Sequence, residues 1–484
     1  MDQLVAVVRS PARYGDLESP QPAPELPGGL ATTVSTAAVR EILHLLRLDA
    51  ANYGTSRWNP FGSLIGPGAR IVLKPNFVVH FNQGGYGLEC LLTHPTVIEA
   101  VLEYVALTQP SRVVLGDAPV QGCNFPELRK ALQLDSLVEK FCRRGMPLEL
   151  IDFRRTLLPG RTPGGERAEG VRSQDHFVLF DLASDSLLEP IAADSSKFRV
   201  TMYNPELLHE NHQAGRHRYL IAREIIEADL VINLPKLKSH KKACVTGALK
   251  NLVGINGNKE FLPHHRKGGS ESGGDCYEGG SSLKLAAENL YDFANRRPAG
   301  RLPAFAARAG QILGRCSMIF GSDNNLEGSW HGNDTIWRTC LDLQRILRYG
   351  NTNGEISESP QRLVLSLTDA IVGGQGEGPL SNHAIASGFV TGSLNPVAAE
   401  WVNTRLMGFD PERIPLTREA FRSFRYPLVT FPPDALRVRR SDQEIGIKDV
   451  VPFGAAFEPP AGWRGHCELK EIHDSMSAEP TLVA

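Results

Sequence analysis

The sequence lacks the short signatures that mark the common chemistries. Its eight cysteines, at 90, 123, 142, 244, 276, 316, 340 and 467, form no C-x-x-C and no pair at ligand spacing. That pattern argues against a zinc ribbon, and no iron–sulfur cluster is expected. There is no G-x-S-x-G, no H-E-x-x-H and no Gly-Lys dipeptide to complete a Walker loop. No run of 18 or more apolar residues occurs, and the opening "MDQLVAVVRSPARYG" lacks the basic and apolar regions of a secretory leader. A reduced, cytoplasmic chain that does not span a membrane is expected. Charge of either sign is not in excess: the formal net charge is −2, so neither a nucleic acid nor a membrane surface is indicated as a partner.

What is present is an ordinary globular composition, 42% hydrophobic and 22% charged over 484 residues. Short runs rich in Val, Ile and Leu at 4–8, 70–75, 112–117, 148–153, 228–234 and 362–371 read as strands. "THPTVIEAVLEYV" between the second and third reads as a helix capped by Thr93. Strand–helix–strand order predicts an α/β fold with a mostly parallel sheet flanked by helices, in a composite two-lobed unit with insertions. The expected divisions are a first lobe (1–158), a polar insertion (159–215), a second lobe (216–424) and a strand-like C-terminal region with a frayed tail (425–484). Within the second lobe lie a basic segment (234–269), a helical segment (285–348) and a Gly-rich stretch (268–282). The last has six glycines in fifteen residues, a composition that predicts a mobile flap. "HENHQAGRH", with His209, His212 and His217, has the residue types to hold a metal but reads first as a polar surface loop.

Parallel strands deliver their carboxyl ends to one edge of a sheet, where open α/β folds bind ligands. Four such ends here carry polar groups: Asn76, Asp117, Asn233 with Lys236, and Asp369 leading to Glu377. The segment from Leu234 to Gly269 holds eight Lys or Arg and three His against one acid, Glu260. A solvated basic face is one reading of it; a convergent anion site is the other. On a helix beginning near Ala243, the residues Val245, Ala248, Leu249, Leu252 and Val253 form an apolar stripe. Thr246, Gly247, Lys250, Asn251 and Gly254 lie opposite. A glycine beside Lys250 on the polar face suggests that a ligand approaches closely there. Lys259 is expected in solvent.

With "VLKPNF", "THPTVIEAV", "LGDAP", "ADLVINLPKLKSHKKACVTGALKNLVGINGNKEFLPHH", "TDAIVGGQGEGPL" and "NPVAAEWVNTRLMGFDPERIP" in place, the chain resembles the family catalogued as domain of unknown function 362 (DUF362) over about residues 70 to 415. It is more distantly similar to nickel-pincer lactate racemases. By that resemblance His240 is an acid/base, Lys250 ten residues on is the cofactor lysine, and His264 or His265 is a metal ligand. Ala248-Leu249 stands where the racemases have Gly-Arg, so a nickel-pincer cofactor is not expected.

Two functions fit these residues. The first is an enzyme acting on a small anionic molecule, a carboxylate or a phosphorylated compound. His240 and Lys250 would be catalytic; Asn76, Asn233, Lys236, Lys238, Asn251 and Arg266 would bind substrate. Asp117, His264, His265, Asp369 and Glu377 would be ligands if a divalent metal takes part. The second is a binding or accessory protein that holds an anionic metabolite or a carrier-linked sugar without turning it over.

Overall fold

The computed structural model describes residues 2–18, 23–26, 33–158, 168–169, 172–298, 300–320, 325–441 and 443–470. Part of the expected polar insertion and the frayed tail beyond residue 470 lie outside them.

Every apolar run named above is a strand, and all join one sheet of twelve. The strands are β1 (Leu4–Arg9), β2 (Arg70–Pro75), β3 (Arg112–Asp117), β4 (Leu148–Asp152), β5 (Leu230–Leu234), β6 (Lys236–His240), β7 (Cys244–Thr246), β8 (Leu363–Glu377), β9 (Ser381–Ile385), β10 (Phe389–Ser393), β11 (Arg437–Arg440) and β12 (Gln443–Gly446). The spatial order is β12-β11-β1-β10-β8-β5-β2-β3-β4. From β8 to β4 every pairing is parallel. β10 runs antiparallel to both β1 and β8. The expected lobes are stretches of chain and not separate bodies, because β5 lies between β2 from the first and β8 from the second.

Alternation explains why the central strands read as continuous apolar runs. Ile71, Leu73, Val113, Leu115, Leu230 and Ile232 point to one face and pack with α1 (Val34–Leu45) and α2 (Pro95–Ala106). Val72, Val114 and Val231 point to the other, where helices at Ile336–Tyr349 and Pro396–Leu406 cover them. Both faces are buried, as for parallel sheets generally.

Local departures from expectation have visible causes. Thr93 does not cap α2; His94 does, its Nδ1 accepting from Thr96 N. Thr93 instead donates to the Leu234 carbonyl at 2.6 Å and accepts from Asn76 N at 2.8 Å, tying the end of β5 to the end of β2. The helix expected from Ala243 is shorter. Cys244–Thr246 pair with β6, and only α3 (Ala248–Asn251) is α-helical before a 3₁₀ turn at Leu252–Ile255. The Gly-rich stretch is packed: Asp275, Cys276 and Tyr277 are buried, and its backbone bonds to itself, as in Ser270 N to Tyr277 O. His212 and His217 are fully buried, their Nδ1 atoms 3.4 Å apart, instead of lying on a surface loop.

Candidate functional site

β5 ends at Leu234 in the sheet, and after Pro235 the chain resumes as β6 beside the outer part of β8. β6 therefore carries its side chains beyond the carboxyl edge of the parallel strands. There it turns back through β7 into α3, and a cleft of about 660 Å³ opens against the ends of β2 and β3.

Six lysines line this cleft: Lys74, Lys238, Lys241, Lys242, Lys250 and Lys259. Two have carboxylate partners, Lys74 on Asp117 at 2.7 Å and Lys241 on Glu377 at 3.1 Å. Three others reach only neutral carbonyls. Lys238 donates to Leu91 O (2.6 Å) and Pro379 O (3.2 Å), Lys259 to Ala118 O (3.3 Å), and Lys242 to Glu327 O. Lys250 makes no hydrogen bond or ion pair to another described residue. Burial lowers all four below the ordinary lysine range, Lys259 to about 7. Such a group of lysines in restricted solvent makes the cleft a region of positive potential.

Two imidazoles share the cleft, and their tautomers are set oppositely. His240 Nδ1 accepts from the backbone of Lys242 (3.0 Å) and Ala243 (3.3 Å), so its neutral ring carries the proton on Nε2. His264 Nδ1 donates to the Leu262 carbonyl at 2.5 Å, which leaves Nε2 as an acceptor. Burial, then the charge of Lys250, holds both well below the usual histidine range. Neutral rings follow at neutral pH, one a donor and one a base.

The remaining polar groups divide between cleft and scaffold. Asn76 and Asn251 line the cleft, and Asn251 Oδ1 accepts from Lys74 Nζ (3.0 Å) and Asn76 Nδ2 (2.9 Å). Asn76 Oδ1 and Thr246 Oγ1 are buried without a partner and are available to a ligand. Asn233, by contrast, is fully buried in the sheet, donating to the Ala248 carbonyl and Ser366 Oγ while accepting from Asn251. It positions α3 and does not reach the cleft. Lys236 and Asp369 form a fully buried ion pair of 2.7 Å with the Tyr14 hydroxyl between them, at 2.6 Å from Lys236 Nζ and 2.7 Å from Asp369 Oδ1. Arg266 turns to Asp275 and Asp334 at 3.5 and 3.8 Å. Lys236, Asp369 and Arg266 do not line the cleft, and each has its counter-charge in the fold. Asp117, Glu377 and His264 line the cleft, but among the described residues Asp117, Asp369 and Glu377, each on a lysine, do not gather with His264 and His265 into one ligand set.

The glycines near Lys250 answer to the protein's own side chains. A Cβ on Gly254 would lie 2.0 Å from Asp117 Oδ1 and 2.7 Å from Lys74 Nζ, and one on Gly247 would lie 2.2 Å from Glu400 Oε2. They accommodate a buried ion pair and a buried carboxyl, not a ligand pressed on the helix. Lys259, expected in solvent, is buried; Lys242 and Glu327 line the site without having been singled out, and Val253, expected on the apolar stripe opposite it, lines it too. The alternate spacing of Lys236, Lys238 and His240 on β6 could have indicated Lys242 just beyond it, but nothing local marks Glu327, 85 residues away.

Residues 180–405 match the family model described as domain of unknown function (DUF362). A thylakoid-associated protein of Synechocystis sp. is 25% identical over 211 residues, 44% of this chain and 46% of that protein. The chain thus spans about half the length of the curated relative it matches. Among solved structures, a Thermotoga maritima protein from a structural genomics consortium aligns over 78% of this chain and 59% of its own, with 12% identity and a TM-score of 0.30. The lactate racemase apoprotein from Thermoanaerobacterium thermosaccharolyticum aligns over 76% and 55%, with 12% identity and a TM-score of 0.27. Among the described residues no helix is long and apolar enough to cross a membrane.

Proposed function

We propose that this chain, whose residues 180–405 belong to the DUF362 pattern, is a cytoplasmic enzyme that moves a proton on a small carboxylate or phosphorylated substrate. The observation that carries the reading is Lys250: a half-buried ammonium with no acceptor among the described residues, whose charge reaches both His240 and His264. A substrate anion supplies the missing acceptor. Lys238 and Lys259 add positive potential at the carboxyl edge, and the unpartnered Asn76 Oδ1 and Thr246 Oγ1 fix orientation. His264 Nε2, the lone-pair nitrogen, takes a proton from the substrate. Lys250 stabilises the negative charge that develops, and His240 Nε2–H donates in return. The eight thiols, none joined to another, support a reducing compartment.

Solvent exchange tests this without a named substrate. A panel of small hydroxy, keto and phosphorylated carboxylates is incubated with the protein in deuterium oxide, and mass spectrometry reads deuterium at carbon. Incorporation into one compound, lost by orders of magnitude in His264→Gln and Lys250→Met, is expected. Stoichiometric anion binding with no exchange anywhere, unaffected by His240→Gln and His264→Gln together, would instead identify a binding protein and overturn the catalytic reading.

A further inference from the structure

Beside the cleft, behind the wall that carries Glu327, three side chains of different chemistry converge. His265, Cys276 and Glu288 each offer a ligand atom, and the three atoms lie within 4.8 Å of one another. They come from separate places: the short strand His265–Arg266, the Gly-rich stretch, and the helix Ser282–Asn295. All are buried, at 3%, 1% and 9% exposure. His265 Nδ1 is buried without a hydrogen-bond partner, a vacancy that proteins seldom leave in an imidazole.

We propose that His265, Cys276 and Glu288 bind a divalent transition-metal ion of zinc's class. One nitrogen, one sulfur and one carboxylate oxygen match the preferences of such an ion, and the thiolate disfavours magnesium or calcium. Tetrahedral coordination at the usual bond lengths places ligand atoms roughly 3.5 Å apart, so small side-chain adjustments close the site from its present spread. The surroundings are already arranged. Gly268 N donates to both Glu288 oxygens, at 3.2 and 3.1 Å, and Glu327 N donates to Cys276 Sγ at 3.1 Å. Donors to the carboxylate and sulfur orient ligands and stabilise their anionic forms, the role of partners around metal ligands generally. With a neutral imidazole, the two anionic ligands cancel the ion's charge in a region where an uncompensated charge is costly.

The site gives the Gly-rich stretch a reason to be ordered. Its metal-bound ends would be His265 just before it and Glu288 just after, with Cys276 at its centre. The same ion would fix Glu327, whose carbonyl receives Lys242 of the cleft. This inference does not depend on the proposed reaction.

The test uses the full chain, reduced, freed of metal by chelator and titrated with zinc or cobalt(II). One equivalent per chain is expected, and the cobalt form should show tetrahedral visible bands with thiolate-to-cobalt charge transfer in the near ultraviolet. Cys276→Ser should abolish the charge transfer, and Glu288→Gln, which keeps the thiol and most hydrogen bonds, should weaken binding about 100-fold. Cys142→Ser, at an exposed thiol, should change neither. Should Cys276→Ser fail to fold, Glu288→Gln decides. Absence of stoichiometric binding, charge transfer that persists in folded Cys276→Ser, or unchanged affinity in Glu288→Gln overturns the proposal.

Discussion

Lys259→Met isolates the cost of keeping the cleft cationic. The lysine is buried, bonded only to Ala118 O at 3.3 Å, and held at about 7 by burial. Its ordinary value is 10.5. Between those values the unfolded chain binds a proton that the folded chain releases, so stability conferred at high pH is lost as pH falls through 7. The penalty is about 5 kcal/mol at pH 6 and about 1.5 kcal/mol at pH 9.5, at about 1.4 kcal/mol per unit. Methionine removes it and leaves the Ala118 carbonyl short of a donor, a loss of about 1 kcal/mol at either pH. Denaturant titration of both proteins should therefore show Lys259→Met more stable by about 4 kcal/mol at pH 6, with the advantage nearly gone at pH 9.5. An advantage of equal size at both pH values, or none at pH 6, would refute the reasoning: Lys259 would then be solvated in the working fold.

Binding of an anion should raise the same pKa, so phosphate or citrate binding at pH 8 should take up close to one proton. Calorimetry in two buffers of different ionisation enthalpy measures this, and Lys259→Met should reduce the uptake. Lys250→Met should weaken citrate binding at least ten-fold in the same assay, whereas Lys448→Met, at an exposed site, should leave it unchanged. Gly254→Ala should cost about 3–5 kcal/mol in denaturant titration, because the new methyl collides with Asp117 and Lys74 and separates a buried pair. Glu400 is raised by burial to about 7 from 4.5, so the stability it confers below pH 4.5 is lost as pH rises through 7. Glu400→Gln should accordingly stabilise the chain by about 3 kcal/mol at pH 8 and little at pH 4.5.

The strands were legible because both faces of the parallel sheet are covered, which forces runs such as "RIVLKP" and "RVVLGD" to be apolar throughout. The basic segment was legible as a cleft lining for a different reason: eight cations against one acid are hard to hide in a chain of balanced charge. What could not be read was which cations already have partners. Lys236 and Lys238 are two residues apart on one strand, yet Lys236 meets Asp369 and Lys238 meets only carbonyls, a distinction made by β8 from more than 100 residues away. The glycines misled for the same reason. Gly254 is small on account of Asp117, and Gly247 on account of Glu400, neither of which is near in sequence. His265, Cys276 and Glu288 have no motif spacing at all, since the loop that gathers them sets their separation.

The neighbours of β1 have a consequence for how the chain is made. β1 ends at Arg9, but the strands on either side of it, Phe389–Ser393 and Arg437–Arg440, follow it in the sequence only after several hundred further residues. At roughly 5–20 residues per second, the first strand waits about 20–80 s for its first partner. During that interval β2, β3 and β4 can pair with one another while "LVAVV" stays an unpaired apolar segment, open to capture by a chaperone or by another nascent chain.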